Sequence, residues 1–282
     1  MQIDPFFQVP QHTHPTSAGE VQLPLLFKEA DAVLAMFLCD LDRVKQQLEG
    51  TGLEPALVIG RQAIVILAIY DFLQSTIGPY RSVPLTIPVW RDKGFRPISP
   101  WRELFQRADK RHMGYYMVSA ATNTALSYTT GRELWGFPKH MARIDYQQQR
   151  SRLGCRVYVG DEPLLEFGGI GFPISWNMQL DSNMFSIRQD QLLRTLVNTR
   201  GRFRAYFPMG YRLHVGDREH PFTQTARVLG LHGKRPLAVV TSSDYQGRMD
   251  EGAVVEKRQP VTTGCAHGKS VNRPKQPAQL LA

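Results

Sequence analysis

The chain has 282 residues, enough for one large domain or two small ones around a sizeable core. Apolar residues make up 42% and charged residues 21%, which is ordinary soluble composition and excludes a collagen-like or wholly disordered chain. The net charge is +9, but Lys257, Arg258, Lys269, Arg273 and Lys275 stand against Glu256 alone from position 255 onward; that tail holds +4, and the +5 left for the body is interspersed with acids, so no nucleic-acid partner is expected.

Residues 1–19 are polar, carry prolines at 5, 10 and 15, and follow no period. They read as a flexible arm with no charged-then-apolar leader, so no secretory signal is expected. Phe6 and Phe7 are placed to tuck against the body or a neighbouring subunit, and His12 and His14 read as solvated rather than metal-binding. Residues 32–39 form an apolar run of strand length. Asp40 then caps a helix with Leu41, Val44 and Leu48 on one face, ended by Gly50. Residues 57–70, rich in Val and Ile, read as a buried strand, and their apolar run is far too short to span a bilayer. Residues 75–80 are a loop. Residues 83–90 are a strand whose Pro84 and Pro88 mark an edge or a bulge. Ser99-Pro100 opens a helix predicted to run to about His112. Residues 115–120 are a strand, and 121–134 a short helix.

Three strand candidates follow at 141–147, 152–160 and 164–169, with a bulge at Gly154 and a hairpin turn at Asp161-Glu162-Pro163. Residues 185–188 and 193–198 are extended. Arg200, Arg202, Arg204 and Tyr206 alternate with Phe203, Ala205 and Phe207, which puts the arginines on one face of a strand. That face is either the wet side of a sheet or an anion-binding surface. A strand at 211–215, a helix or loop at 221–231 and a last strand at 236–243 complete the body. The chain beyond Glu256 has no apolar period and is expected to be disordered. The expected organisation is an arm over 1–19, one domain over 20–254 and a tail over 255–282. Cys39, Cys155 and Cys265 are odd in number and widely spaced, which fits reduced thiols in a cytoplasm and neither a disulfide framework nor a zinc site. Many short strands with few helices predict an α+β fold dominated by antiparallel sheet.

Chemistry concentrates in Gly131-Arg132-Glu133-Leu134-Trp135-Gly136-Phe137-Pro138-Lys139-His140. A lysine among Trp135, Phe137 and Met141 is either a snorkelling surface residue or an amine held out of water. An exposed amine titrates near 10.4, so only about one in 2,500 is neutral at pH 7, and only the neutral form attacks a carbonyl. Burial lowers that pKa by as much as ~3–5 units. If the segment is extended, His140 points to the opposite face from Lys139 and acts as a packing residue rather than a base.

The Gly-Arg-Glu and Phe-Pro-Lys of this segment resemble the Schiff-base segment of the acetoacetate decarboxylase family. Ser75-Thr76-Ile77-Gly78-Pro79-Tyr80 resembles the family's Gly-X-Tyr loop, and Pro236-Leu237-Ala238-Val239-Val240-Thr241-Ser242-Ser243 its last core strand. The strand and helix from Phe27, closing on Leu53-Glu54-Pro55-Ala56-Leu57, complete a resemblance over about residues 27–252. It implies a closed, cone-shaped β-barrel with few helices, a homo-oligomer, and a lysine of depressed pKa. It also implies that Lys139 forms an imine with a small β-keto acid, accepts the electrons released with carbon dioxide, and needs neither metal nor organic cofactor. Lys139, Arg132, Glu133 and Tyr80 are the implied catalytic set. Phe27, Ser82, Trp135, Phe137 and His140 are the implied pocket. Arg132 reads either as a holder of a substrate carboxylate or as half of a structural ion pair. Tyr80 reads as a proton donor or as a core phenol. The family's pocket glutamate is replaced here by Ser82, its pocket arginine by Ala30, and its second lysine by His140. These departures leave three readings: a decarboxylase, an imine-forming aldolase, dehydratase or cyclase acting on a larger oxo-acid, and a non-catalytic binding module.

Overall fold

The computed structural model describes residues 4–94, 99–104, 106, 108–149, 152–175, 181–208 and 210–257. Seven strands form a closed barrel: β1 (Leu25–Asp40), β2 (Gln62–Ser75), β3 (Tyr80–Arg91), β4 (Gly114–Thr122), β5 (Ser182–Arg188), β6 (Gln191–Arg200) and β7 (Ala238–Met249). Neighbours run β7–β1–β2–β3–β4–β5–β6, and β6 pairs back onto β7 from Val197↔Met249 to Arg200↔Gln246 to close the ring. Every pairing in the ring is antiparallel except β4 with β5. The α+β, mainly antiparallel barrel expected above is thus the fold.

The apolar runs have a simple cause. Both faces of the barrel wall are covered, so strands that would alternate in a one-sided sheet read as continuous hydrophobic segments. In β1, Val33, Ala35, Phe37 and Cys39 pack outward into the main core, while Ala32, Leu34 and Met36 line the barrel interior. The same parity holds in β3, where Val83, Leu85, Ile87 and Val89 face the core and Tyr80, Ser82, Pro84 and Thr86 face inside. Outside the barrel lies a four-stranded antiparallel sheet, Arg143–Gln149, Arg152–Val159, Glu162–Ile170 and Arg212–Val215 in that order. Its inner residues Ile144, Cys155, Val157, Leu165, Phe167 and Leu213 complete the main core against the wall. Helices α1 (Leu41–Leu48), α2 (Ala125–Trp135) and α3 (Pro221–Val228) flank the barrel. Asp40 caps α1 as expected, accepting from the amides of Asp42 and Arg43.

Several local expectations change. β3 is an interior strand and not an edge; its irregularity is a register shift at Leu85/Thr86 against β4. In the outer sheet the bulge falls at Val157/Tyr158 and not at Gly154, where a Cβ would meet open space. The predicted long helix after Ser99 is only Pro100–Glu103 and a later 3₁₀ turn, Ala108–Lys110. Its backbone acceptors are diverted: the Arg111 side chain donates to the carbonyls of Leu104 and Gln106, and buried Glu103 accepts from the Met113 amide at 2.6 Å. The arginines at 200, 202 and 204 do not share one strand, since the ladder breaks at residues 201–203. Arg200 pairs with Asp4 and Arg202 with Asp244.

The arm is more structured than its sequence implies. His12–Thr16 and Gly19–Leu23 form a hairpin, Val21 and Leu23 are buried, and the Phe6 ring lies 4.5 Å from the Arg200 guanidinium. At the other end, Ala253–Lys257 adds a strand beside β6; the rest of the expected tail lies outside the described residues, as does Cys265. Cys39 and Cys155 are buried free thiols, pushed up by burial to about 11 and about 12. No described helix is long and apolar enough to cross a membrane.

Candidate active site

Helix α2 is capped by Thr124 and buries Ser127, Thr130, Gly131 and Trp135, the i, i+3, i+4, i+8 face of a helix packed on a wall. It ends at Gly136, in the left-handed region at φ 71°. Any Cβ there would fall on the carbonyl oxygen of Ile187. The amides of Gly136 and Phe137 close on the carbonyls of Arg132 and Gly131 at 3.0 and 2.9 Å, satisfying the helix end. Pro138 then permits no further helix. The chain emerges extended, and Lys139 pairs in parallel with Ala120 of β4.

This geometry sends the Lys139 side chain inward across Gly131. A Cβ on Gly131 would lie 2.6 Å from Lys139 Cδ and Cε. Nζ donates to the carbonyl and hydroxyl oxygens of Ser127, at 3.0 and 2.9 Å. Lys139 is only 8% exposed, and burial alone pulls its pKa from 10.5 down to about 7. Nζ also lies 5.8 Å from the centre of the Tyr80 ring.

The amine forms part of the wall of a barrel cavity of about 190 Å³. That is room for about six waters at ~30 Å³ each, the size class of a small keto acid. Aromatic rings run on from Tyr80 in contact: Phe72 at 4.6 Å, Tyr70 a further 5.3 Å on, then Tyr245 at 5.5 Å. Ser82, Thr86, Ser182 and Thr199 add hydroxyls. Among the described residues lining this cavity, Lys139 is the one basic group and there is no carboxylate. The described residues contain no cluster of three or more His, Cys, Asp or Glu able to hold a metal.

Five of the sequence-predicted residues meet here: Lys139, Tyr80, Phe27, Ser82 and Phe137. Four do not line the cavity. Arg132 is exposed, donating to the Lys139 carbonyl at 3.2 Å and lying over the Tyr128 ring. Glu133 is exposed and accepts from the Ser17 amide and hydroxyl, so it belongs to the anchoring of the N-terminal hairpin. Trp135 stacks behind Phe137 at 5.9 Å and donates to the Asp250 carbonyl, supporting the wall from behind. His140 turns to the opposite face, 5.1 Å from His220, as the alternation of a strand requires. Burial, His220 and Arg132 together depress its pKa to about 4. Ala30 is fully buried in the apolar cluster that includes Phe27 and Tyr80.

Sequence reasoning missed Ser127, Tyr70, Tyr245 and Thr199. Only Ser127 had a local signal: it stands one helical turn before Gly131, on the face that meets the lysine. The tyrosines lie in runs that read simply as strand.

Residues 8–189 match the acetoacetate decarboxylase family. No curated protein sequence matches the chain. Among solved structures, the acetoacetate decarboxylase from Legionella pneumophila subsp. pneumophila str. Philadelphia 1 is similar, at 17% identity and TM-score 0.60 over 90% of this chain and 95% of that one. An acetoacetate decarboxylase-like enzyme from Sphingomonas wittichii RW1 gives 15% and 0.57 over 82% and 92%. The enduracididine biosynthesis enzyme MppR, complexed with the condensation product of pyruvate and imidazole 4-carboxaldehyde, gives 12% and 0.55 over 84% and 90%. At these identities the structures speak for the fold, while the sequence match extends through the helix, the glycine stop and the buried lysine just described: the chain belongs to the acetoacetate decarboxylase family.

Proposed function

We propose that this chain is an imine-forming carbon–carbon lyase whose Lys139 condenses with a small β-keto acid and releases carbon dioxide. The observation that carries this reading is the amine itself, sealed in the barrel wall and pulled by burial to a pKa of about 7. About half of it is neutral at pH 7, against roughly one in 2,500 for a lysine in water. The Nζ lone pair adds to the ketone, and loss of water gives a protonated imine. That cation accepts the electron pair of the bond to the departing carboxylate, leaving an enamine. Protonation and hydrolysis return ketone and amine. Tyr80 lines the cavity with a phenol that burial keeps protonated, so it is placed to donate to the carbonyl oxygen. With no guanidinium among the described residues of the wall, the imine is the cation that answers the substrate's carboxylate.

Borohydride added with acetoacetate is expected to fix a mass increment on Lys139; an unmodified lysine after substrate turnover rejects the reading. A second reading keeps the imine but directs the enamine to aldol condensation and dehydration with an aldehyde. Ser82 in the cavity wall and buried Ala30, where the resemblance implies a glutamate and an arginine, favour it. Carbon dioxide release from acetoacetate, measured against Lys139→Ala, separates the two: vigorous release eliminates the second.

A further inference from the structure

Addition of a neutral amine to a carbonyl leaves a surplus proton on nitrogen and a negative charge on oxygen. Some group has to carry that proton across. No carboxylate or imidazole is found among the described residues of the cavity wall. Hydroxyls are, and a further one, behind the lining, stands against the amine. Ser127 is fully buried, with Oγ 2.9 Å from Lys139 Nζ. The same hydroxyl is met by Thr122 Oγ1 at 3.0 Å, and the Tyr80 ring, its centre 5.8 Å from Nζ, stands next to the amine in the cavity wall. Its own carbonyl takes a second Nζ bond at 3.0 Å, and Gly131, one turn along α2, presses on the lysine stem. Two directions around the nitrogen are therefore tied to Ser127. Position 127 is the third residue after the Thr124 cap, where a polar side chain commonly reaches back to the cap amide. Here its bonds run to the amine and to Thr122 instead.

We propose that Ser127 is the relay through which Lys139 Nζ passes a proton to Tyr80 and so to the substrate's carbonyl oxygen. This rests on the imine-forming reading above. As the N–C bond forms and the carbonyl π bond breaks, the surplus proton leaves Nζ for Ser127 Oγ. The proton of Ser127 moves to the Tyr80 oxygen, and that of Tyr80 to the new alkoxide. A neutral carbinolamine results, and both hydroxyls end as they began. No phenolate is formed at any point, which suits a phenol that burial holds well above its usual range.

The test is the rate of borohydride-trapped labelling at Lys139, by mass spectrometry, with acetoacetate and with pyruvate. Wild type is compared with Ser127→Ala, Tyr80→Phe and the double variant. Each single variant is expected to label about 10²–10³-fold more slowly, the range of general acid–base contributions. The half-saturating keto-acid concentration is expected to stay within a few-fold of wild type. The double variant is expected to be little slower than either single, because a chain broken once is already broken. Wild-type labelling rates in the variants, or losses that multiply in the double variant, overturn the relay while leaving the imine intact. An unlabelled wild-type Lys139 overturns both. If Ser127→Ala does not fold by circular dichroism, Ser127→Gly takes its place: slow labelling supports the relay and wild-type labelling ends it.

Discussion

Lys139 Nζ exchanges the hydration of an ammonium for two oxygens of Ser127 and the face of Tyr80. No cationic neighbour is needed to lower its pKa, because burial is the cause. Its labelling by a keto acid and borohydride should therefore rise with pH through about 7 and then level off, and Lys139→Ala should show no label at that position. Arg132 makes a contrasting case. Its guanidinium serves a backbone carbonyl and the half-buried Tyr128 ring, outside the cavity. Arg132→Ala should change the keto acid's KM by no more than about twofold, within the ~0.5 kcal/mol of ordinary surface substitutions. A KM increase of a hundredfold would return Arg132 to the role of carboxylate holder.

At the scale of elements, the helix–stop–strand passage from Ala125 to Met141 delivers the amine. Its two glycines are required for different reasons. At Gly131 the neighbour is the flexible lysine stem. Gly131→Ala should lower stability by only about 1 kcal/mol, the mild end of overpacking, yet displace the amine and slow labelling severely. At Gly136 the neighbour is backbone, and φ is 71°. Gly136→Ala should lose more than about 2 kcal/mol, because left-handed strain adds to a clash that cannot relax. Chemical denaturation of both variants, alongside trapping rates, separates the two effects. This passage was also the most legible part of the sequence. Gly136 and Pro138 end a helix by local rules, and alternation alone places Lys139 and His140 on opposite faces. The helix after Ser99 was misread because Arg111 and Glu103, both drawn into the interior, take up groups a longer helix would have used.

For the whole molecule, a buried amine is a stability term that depends on pH. The folded pKa of about 7 lies below the unfolded 10.5, so between these values the unfolded chain binds more protons and stability rises with pH. Below pH 7 the penalty is complete, on the order of 5 kcal/mol at 1.36 kcal/mol per pH unit. Lys139→Met should therefore be more stable than wild type near neutrality. The gap should narrow by about that amount between pH 6 and pH 10.5, since other groups titrate alike in both proteins. Melting curves of the pair across this range check it; a gap independent of pH would mean that Lys139 titrates normally.

From the sequence alone came the local geometry of the lysine segment, the antiparallel character of the sheet and the apolar runs of a wall buried on both faces. These depend on neighbours a few residues apart, so periodicity and turn chemistry report them. Only the tertiary structure decided which polar groups share the cavity. It left Arg132 and Glu133 outside, next to Lys139 in sequence but on the exposed flank of α2. It brought in Tyr70, Thr199 and Tyr245 from β2, β6 and β7, strands distant in the chain. The pairing of β6 with β7 closes the wall, and closure is a non-local event that no window of sequence contains.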